Sequence, residues 1–430
     1  KGAGTVGQTY AADGYETTFG AADSGMNIDA TIIGGGTASI ADDAKLHFIN
    51  ATMTATSSVY GAGVAAAGET YTADSVAIDF TGTGMGAKAL VCAGGKGAAG
   101  ASIEVGTITV TSSASGDMGI LYGGADLTDG GSFKAGTVTT TISGNGNYLS
   151  FVGNGCRNGN TAATGVTTNI GTSSVSISGG TFQNLVYGGA YAAGDNVSCG
   201  TANMTISGGT FNFSVYGGNG GKSTSTTQQG KSVVGSVNVT IDVTGDNTAV
   251  FNRHLSSGSF GDGTVSGGTH ITFTGNGANL IFGENSYVSG SSQNAWHIGG
   301  VWETFVGEDT GRDERFLTFD SFTGDFKGSL SNGFTNVSFS SDSSVVFKGA
   351  IESDLLYTSV WDFAVGGGSS ALLDWGQATN GRNSFAGDDI NLTLEDGFSG
   401  SKVLVDAGSN ASLLNGWDKA TVTLGGGTMT

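Results

Sequence analysis

Apolar and polar residues alternate over short runs along most of the chain. Val105-Gly106-Thr107-Ile108-Thr109-Val110 is one such run, and Val237-Asn238-Val239-Thr240-Ile241-Asp242-Val243 is another. A period of two sends successive side chains to opposite faces of a strand. Thr and Val dominate these runs, and both fit a pleated, half-buried surface. No stretch combines helical spacing with caps, so the pattern predicts an all-β chain and excludes helical arrays.

The runs also recur. Ile177 to Gly189 reads ISGGTFQNLVYGG and Ile206 to Gly218 reads ISGGTFNFSVYGG, 29 residues later. Looser copies carry a short apolar pair followed by a turn residue. Taking Tyr60, Val91, Tyr122, Val152, Tyr187, Tyr216, Phe251 and Phe282 as markers, the steps run from 29 to 35 residues. A period of about 31 lies in the range of solenoids. It suits one coil of three short strands and three turns, whereas a propeller blade needs more residues. The prediction is an elongated parallel β-helix of about 31 residues per coil. Tyr60, Tyr122, Tyr187, Tyr216, Phe251 and Phe282 are then repeat-stacking residues. Tyr187 and Tyr216 should occupy equivalent positions in adjacent coils. The tyrosines can form either an exposed ladder that stacks on sugar rings or part of the wall, and the wall is the commoner use.

Turn residues fit this plan. Ser178-Gly179-Gly180-Thr181, Ser207-Gly208-Gly209-Thr210 and Ser266-Gly267-Gly268-Thr269 read as tight corners between strands, because glycine adopts positive φ without a Cβ clash. Ala190 to Gly200 and Asn219 to Gly230 read as projecting loops. Past residue 295 the character changes. All five tryptophans, Trp296, Trp302, Trp361, Trp375 and Trp417, lie there. The chain divides into glycine-rich solenoid repeats over 1–295 and a Trp-containing, β-rich region over 296–430, either a continuation or a cap.

Composition agrees. Glycine makes up 79 of 430 residues and proline none. Proline cannot donate to a strand ladder, so a chain that is mostly ladder has reason to avoid it. At 38% hydrophobic the chain is too apolar for a disordered glycine-rich polymer. A net charge of −20 excludes nucleic acid as a partner and argues against an anionic membrane surface. No stretch approaches the length of a membrane helix, so no membrane insertion is expected. The chain starts at Lys1 rather than Met, which reads as a processed product or a fragment.

Candidate chemistry is sparse. Cys92, Cys156 and Cys199 are too few for a disulfide framework and read as small packing residues. His47, His254, His270 and His297 show no metal-ligand spacing. Gly95 to Gly100 matches G-x-G-x-x-G, but no helix follows, and at this glycine content such matches arise by chance. Gly217 to Ser223 misses the phosphate-loop spacing. The acidic pairs Asp42-Asp43 and Asp388-Asp389 read as solvated turns, with a glycan-cleaving or calcium site as the competing use. No catalytic residue, cofactor or metal is expected.

The two ISGGTF...VYGG units resemble the glycine-rich repeats in passenger regions of autotransporter-type surface adhesins of Gram-negative bacteria. Trp361-Asp362-Phe363, Leu372-Leu373-Asp374-Trp375 and Phe385-Ala386-Gly387-Asp388 look like the segment that closes such a passenger. The resemblance implies a right-handed helix, export, and an extracellular, cell-surface role. No membrane barrel follows Thr430, a departure from that pattern. The expected function is non-catalytic structural or adhesive display. The expected partners are host or surface glycans, or the chain itself joined end to end into fibres. A polysaccharide lyase or hydrolase on the same fold is the alternative.

Overall fold

The computed structural model describes residues 8–289 apart from 12–15, 24, 37–42, 151, 159–164, 192–195, 221–231, 260–262 and 284–286. Beyond them it describes 315–327, 329–331, 336–341, 343–347, 351–352, 360–365, 370–374, 389–394, 403–406 and 419–424. The described residues are almost all strand, with one 3₁₀ turn at Gly277–Asn279. Neighbouring strands in the stack are parallel, and the chain winds as a β-solenoid of about 32 residues per turn.

One coil shows the plan. Leu90–Cys92 lies in a twelve-stranded sheet that runs from Gln8–Ala11 to Ile351–Glu352. The chain then turns into Gly95–Gly97, in a four-stranded sheet, and turns again into the long strand Ser102–Ser113. After Asp117–Met118 it enters the next coil at Ile120. Each strand lies directly over its counterpart. Ile103 sits opposite Tyr71 on one side and Phe133 on the other.

The long strand is bent, and the bend explains a column of glycines. Along Ile103, Glu104 and Val105 burial alternates in, out, in. It then slips, with Gly106 and Thr107 both outward before Ile108 returns inside. At the slip the coils approach closely. A Cβ on Gly106 would lie 2.6 Å from the Asp74 carbonyl, one on Gly136 2.7 Å from Gly106, and one on Gly171 2.6 Å from Gly136. Each is inside contact distance, so these three positions exclude a side chain, while Asp74 holds the same place in the coil before Gly106. Ser266–Thr269 lies between the strands Gly263–Val265 and Thr269–Asn276 as expected, but the other two Gly-Gly corners differ, with Ser207–Thr210 inside the strand Asn196–Phe211. Ser178–Thr181 falls inside a single strand, Thr167–Phe182, as a local break in register. Gly180 there has φ of +93°, so the glycine is needed as expected, but for a kink within a strand.

The core is a set of side-chain files, each residue stacked on its counterpart one coil away. Tyr148, Phe182, Phe211 and Phe251 stack with ring centroids 4.8, 4.8 and 5.0 Å apart, and Phe282 follows at 5.8 Å. Phe19, Phe48 and Phe80 make a second ladder at 5.1 and 5.0 Å. Stacked rings at this spacing stabilise beyond the area they bury. A polar file decorates the outside: Asn147 donates to Asp117, Gln183 to Asn147, Asn212 to Gln183 and Asn252 to Asn212.

Strands from Arg315 onward keep pairing in parallel on the earlier coils, beginning with Thr269 opposite Arg315. Trp361 lies in the strand Val360–Val365, and the other four tryptophans lie outside the described residues. The supposed loop around Asn219 begins as buried structure. Asn219 is fully buried, accepts from the Ala190 N–H at 2.8 Å and donates to the Val233 carbonyl at 2.9 Å.

Candidate functional site: the tyrosine file

The residues marked as repeat-stacking fall into two separate files. Tyr60, Tyr122, Tyr187 and Tyr216 share one column of the twelve-stranded sheet. Tyr60 and Tyr122 both pair with Cys92, Tyr122 and Tyr187 both pair with Gly153, and Tyr187 pairs with Tyr216. Tyr187 and Tyr216 thus have the register expected of them, with ring centroids 5.7 Å apart. Phe251 and Phe282 belong to the phenylalanine ladder on another side of the coil. The step from 216 to 251 looks like one repeat but crosses from file to file. The true counterpart of Tyr216 is Ser256, in a longer coil.

All four tyrosines are buried. They pack with Ile33, Leu90 and Cys92 in a cluster separate from the main core. From Tyr60 to Gly153 the file therefore lies in a seam between the twelve-stranded and four-stranded sheets, and past Asn158 the isolated bridge of Tyr191 with Gly220 continues that side. Where Gly153 leaves a gap between Tyr122 and Tyr187, Tyr191 fills it, at 6.3 Å from one ring and 5.3 Å from the other.

The four-stranded sheet supplies charge to this seam. Val64, Lys96, Asp126 and Arg157 stand in one column across consecutive coils. Asp126 is 6% exposed. Its Oδ2 accepts from the Tyr60 hydroxyl at 3.2 Å and lies 3.6 Å from Arg157 Nη1. Lys96 Nζ sits 5.4 Å over the Tyr60 ring. Oδ1 is buried with no hydrogen-bond partner among the described residues. Burial raises the Asp126 pKa above the usual carboxylate value. Arg157, Lys96 and the Tyr60 hydrogen bond pull it back only in part.

The chemical capacity of this group is narrow. Glycoside hydrolysis uses two carboxyl groups roughly 5 to 10 Å apart, and the seam holds one among the described residues. Cys92 is buried and its thiol is held protonated by desolvation, which removes the nucleophilic form. Cys156, whose Sγ accepts from the Ala125 N–H at 3.3 Å, is pushed up to about 12 by the same cause. Among the described residues no group of three His, Cys, Asp or Glu side chains is placed to hold a metal ion.

The histidines are scattered. His47 bridges three coils, with Nδ1 2.6 Å from Asp79 and Nε2 3.3 Å from Glu16. His254 is buried, His270 stacks on Phe316 at 4.6 Å, and His297 lies outside the described residues. Of the acidic pairs, Asp43 and Asp389 lie in strands, while Asp42 and Asp388 lie outside the described residues.

Lys96, Asp126, Arg157 and Tyr191 escaped the sequence reading, yet a signal exists. Each stands four residues after a position of the tyrosine file: Cys92, Tyr122, Gly153 and Tyr187. That constant offset marks the next strand of the coil. Comparison with family models, with curated proteins and with solved structures finds no match to this chain.

Proposed function

We propose that this chain is a non-catalytic structural or adhesive rod that acts outside the cell, displayed on a bacterial surface. The supporting observation is continuity: a single twelve-stranded parallel sheet extends through the coils, and the side chains stack from one coil to the next. Such a stack is a stiff spacer whose lateral faces repeat at every coil, which suits display. The aromatic residues that offered a sugar-binding ladder are instead buried in the seam, so glycan contact falls to other faces.

The polysaccharide lyase or hydrolase reading draws on Asp126, a buried carboxyl with a raised pKa beside two cations. Perturbed carboxyls gather at catalytic sites, but structural ion pairs perturb them equally.

The test is to tether the full chain to beads and measure capture of glycans and live cells, with micrographs of free protein alongside. The proposal expects rods of uniform width and saturable capture. The same micrographs record end-to-end joining into fibres. Compact particles, or beads that capture nothing, would count against it.

A further inference from the structure

The outer face of the long strands beyond the bend is an ordered array. Thr107, Thr109 and Thr111 point outward from one coil, and Thr137, Thr139 and Thr141 lie opposite them in the next. The three coils that follow carry only Thr, Ser and Asn at the same positions, in unbroken register. Three positions across and five coils deep, the array holds no charge and no aromatic ring. The chain as a whole carries a net charge of −20. Charge and rings return only at the borders, with Asp79 paired to His47 at one end and His270 stacked on Phe316 at the other.

The backbone fixes the spacing in both directions. Coils repeat at about 4.8 Å and outward residues along a strand at about 6.6 Å. Threonine is β-branched and stiff at χ1, so its methyl and hydroxyl groups hold these positions. The hydroxyls of the six threonines named make no hydrogen bond to any described protein group. They are free to bond outward.

A partner for this face must be uncharged, must form hydrogen bonds, and must itself repeat in two dimensions at molecular spacing. Apart from a second copy of this same face, which would show as concentration-dependent dimers in sedimentation, a folded protein lacks such a repeat and is held through a few buried aromatic or Arg anchors, which are missing here. A polysaccharide surface has a repeat but is gripped by stacking its sugar rings on aromatic side chains, also missing. Ordered water meets every condition. We propose that this face binds ice, with threonine hydroxyls and methyls holding water in a lattice that merges with the crystal surface.

The test uses the full chain and three variants in a nanolitre osmometer, watching single ice crystals. The wild type should facet the crystals and hold their growth below the melting point. Thr139→Lys places a strongly hydrated ammonium in the array and should abolish the effect. Thr139→Val keeps the methyl shape and should retain part of it. Glu69→Lys, which places the same ammonium with a larger change of charge in an exposed turn on another part of the coil, should leave it intact. Circular dichroism of each variant confirms the fold. Unaltered crystals with wild-type protein would overturn the proposal. So would full activity in Thr139→Lys, or adsorption to crystalline polysaccharide with no effect on ice.

Discussion

The phenylalanine ladder and the tyrosine file are both columns of aromatic rings stacked coil on coil, yet they do different work. The ladder from Tyr148 to Phe282 packs into the main apolar core, where its rings touch other apolar side chains. The tyrosine file lies in a lateral seam and ends in hydroxyls, one of which meets the carboxylate of Asp126. Apart from Tyr148 at the end of the ladder, whose hydroxyl meets Ser112 Oγ at 2.8 Å, the extra oxygen is what separates the two. A ring that must reach a polar partner is tyrosine, and a ring that must not is phenylalanine. The ladder should therefore be worth stability, and the seam should be worth alignment of the two sheets.

Truncating the ladder gives the largest effect. Phe182→Ala removes a fully buried ring stacked on both sides and should destabilise by about 3 to 5 kcal/mol in chemical denaturation. A loss under about 1 kcal/mol would mean the ladder is loosely packed. The bend comes next. Gly171→Ala would force a methyl against the Gly136 carbonyl and should cost about 1 to 3 kcal/mol.

The seam is comparable in size to the bend. Tyr60→Phe removes a hydrogen bond to a buried carboxylate and should cost about 1.5 to 3 kcal/mol. Asp126→Asn is milder, because the buried charge it removes is itself costly. The pH dependence of that pair is informative. Asp126 has a raised folded pKa, so the folded state holds its proton more tightly than the unfolded chain. The wild type therefore loses stability as pH rises from about 4 through the folded pKa. Relative to Asp126→Asn, the wild type should gain stability on acidification. A difference that is flat with pH would remove the desolvation argument. At the other end of the scale, burial raises Cys199 to about 11 and Tyr71 and Tyr148 to about 12. Their contribution is intact below about 9 and should be lost as pH climbs through 11 and 12, which an alkaline melt would record.

The smallest effect belongs to the exposed amide file. Asn212→Ala breaks two hydrogen bonds open to solvent and should change stability by less than about 0.5 kcal/mol. A larger loss would show that such a file acts cooperatively.

The repeat was legible because the solenoid copies its sequence where packing demands it. ISGGTF and VYGG recur since Phe182 must lie over Phe211, and Tyr187 over Tyr216. Registers were harder to follow where coils change length. Tyr216 to Ser256 spans 40 residues, so a marker chosen by spacing alone slid into the phenylalanine ladder. The glycine bend was present as the recurring Val105-Gly106-Thr107, Ala135-Gly136-Thr137, Ile170-Gly171-Thr172 and Cys199-Gly200-Thr201. It passed for ordinary alternation because a bend and a strand share the same residues on either side. Asp126 could not be identified by type, since a lone acid reads as solvated until the coil above and the coil below are known.

The account turns on the seam being structural, not catalytic, and turnover of polysaccharides tests this most directly. Purified full-length protein would be incubated with plant, algal and bacterial polysaccharides, and reducing ends and unsaturated products followed. The account predicts no product above the blank. Reproducible cleavage by the wild type, lost in Asp126→Asn while the fold is kept, would contradict it.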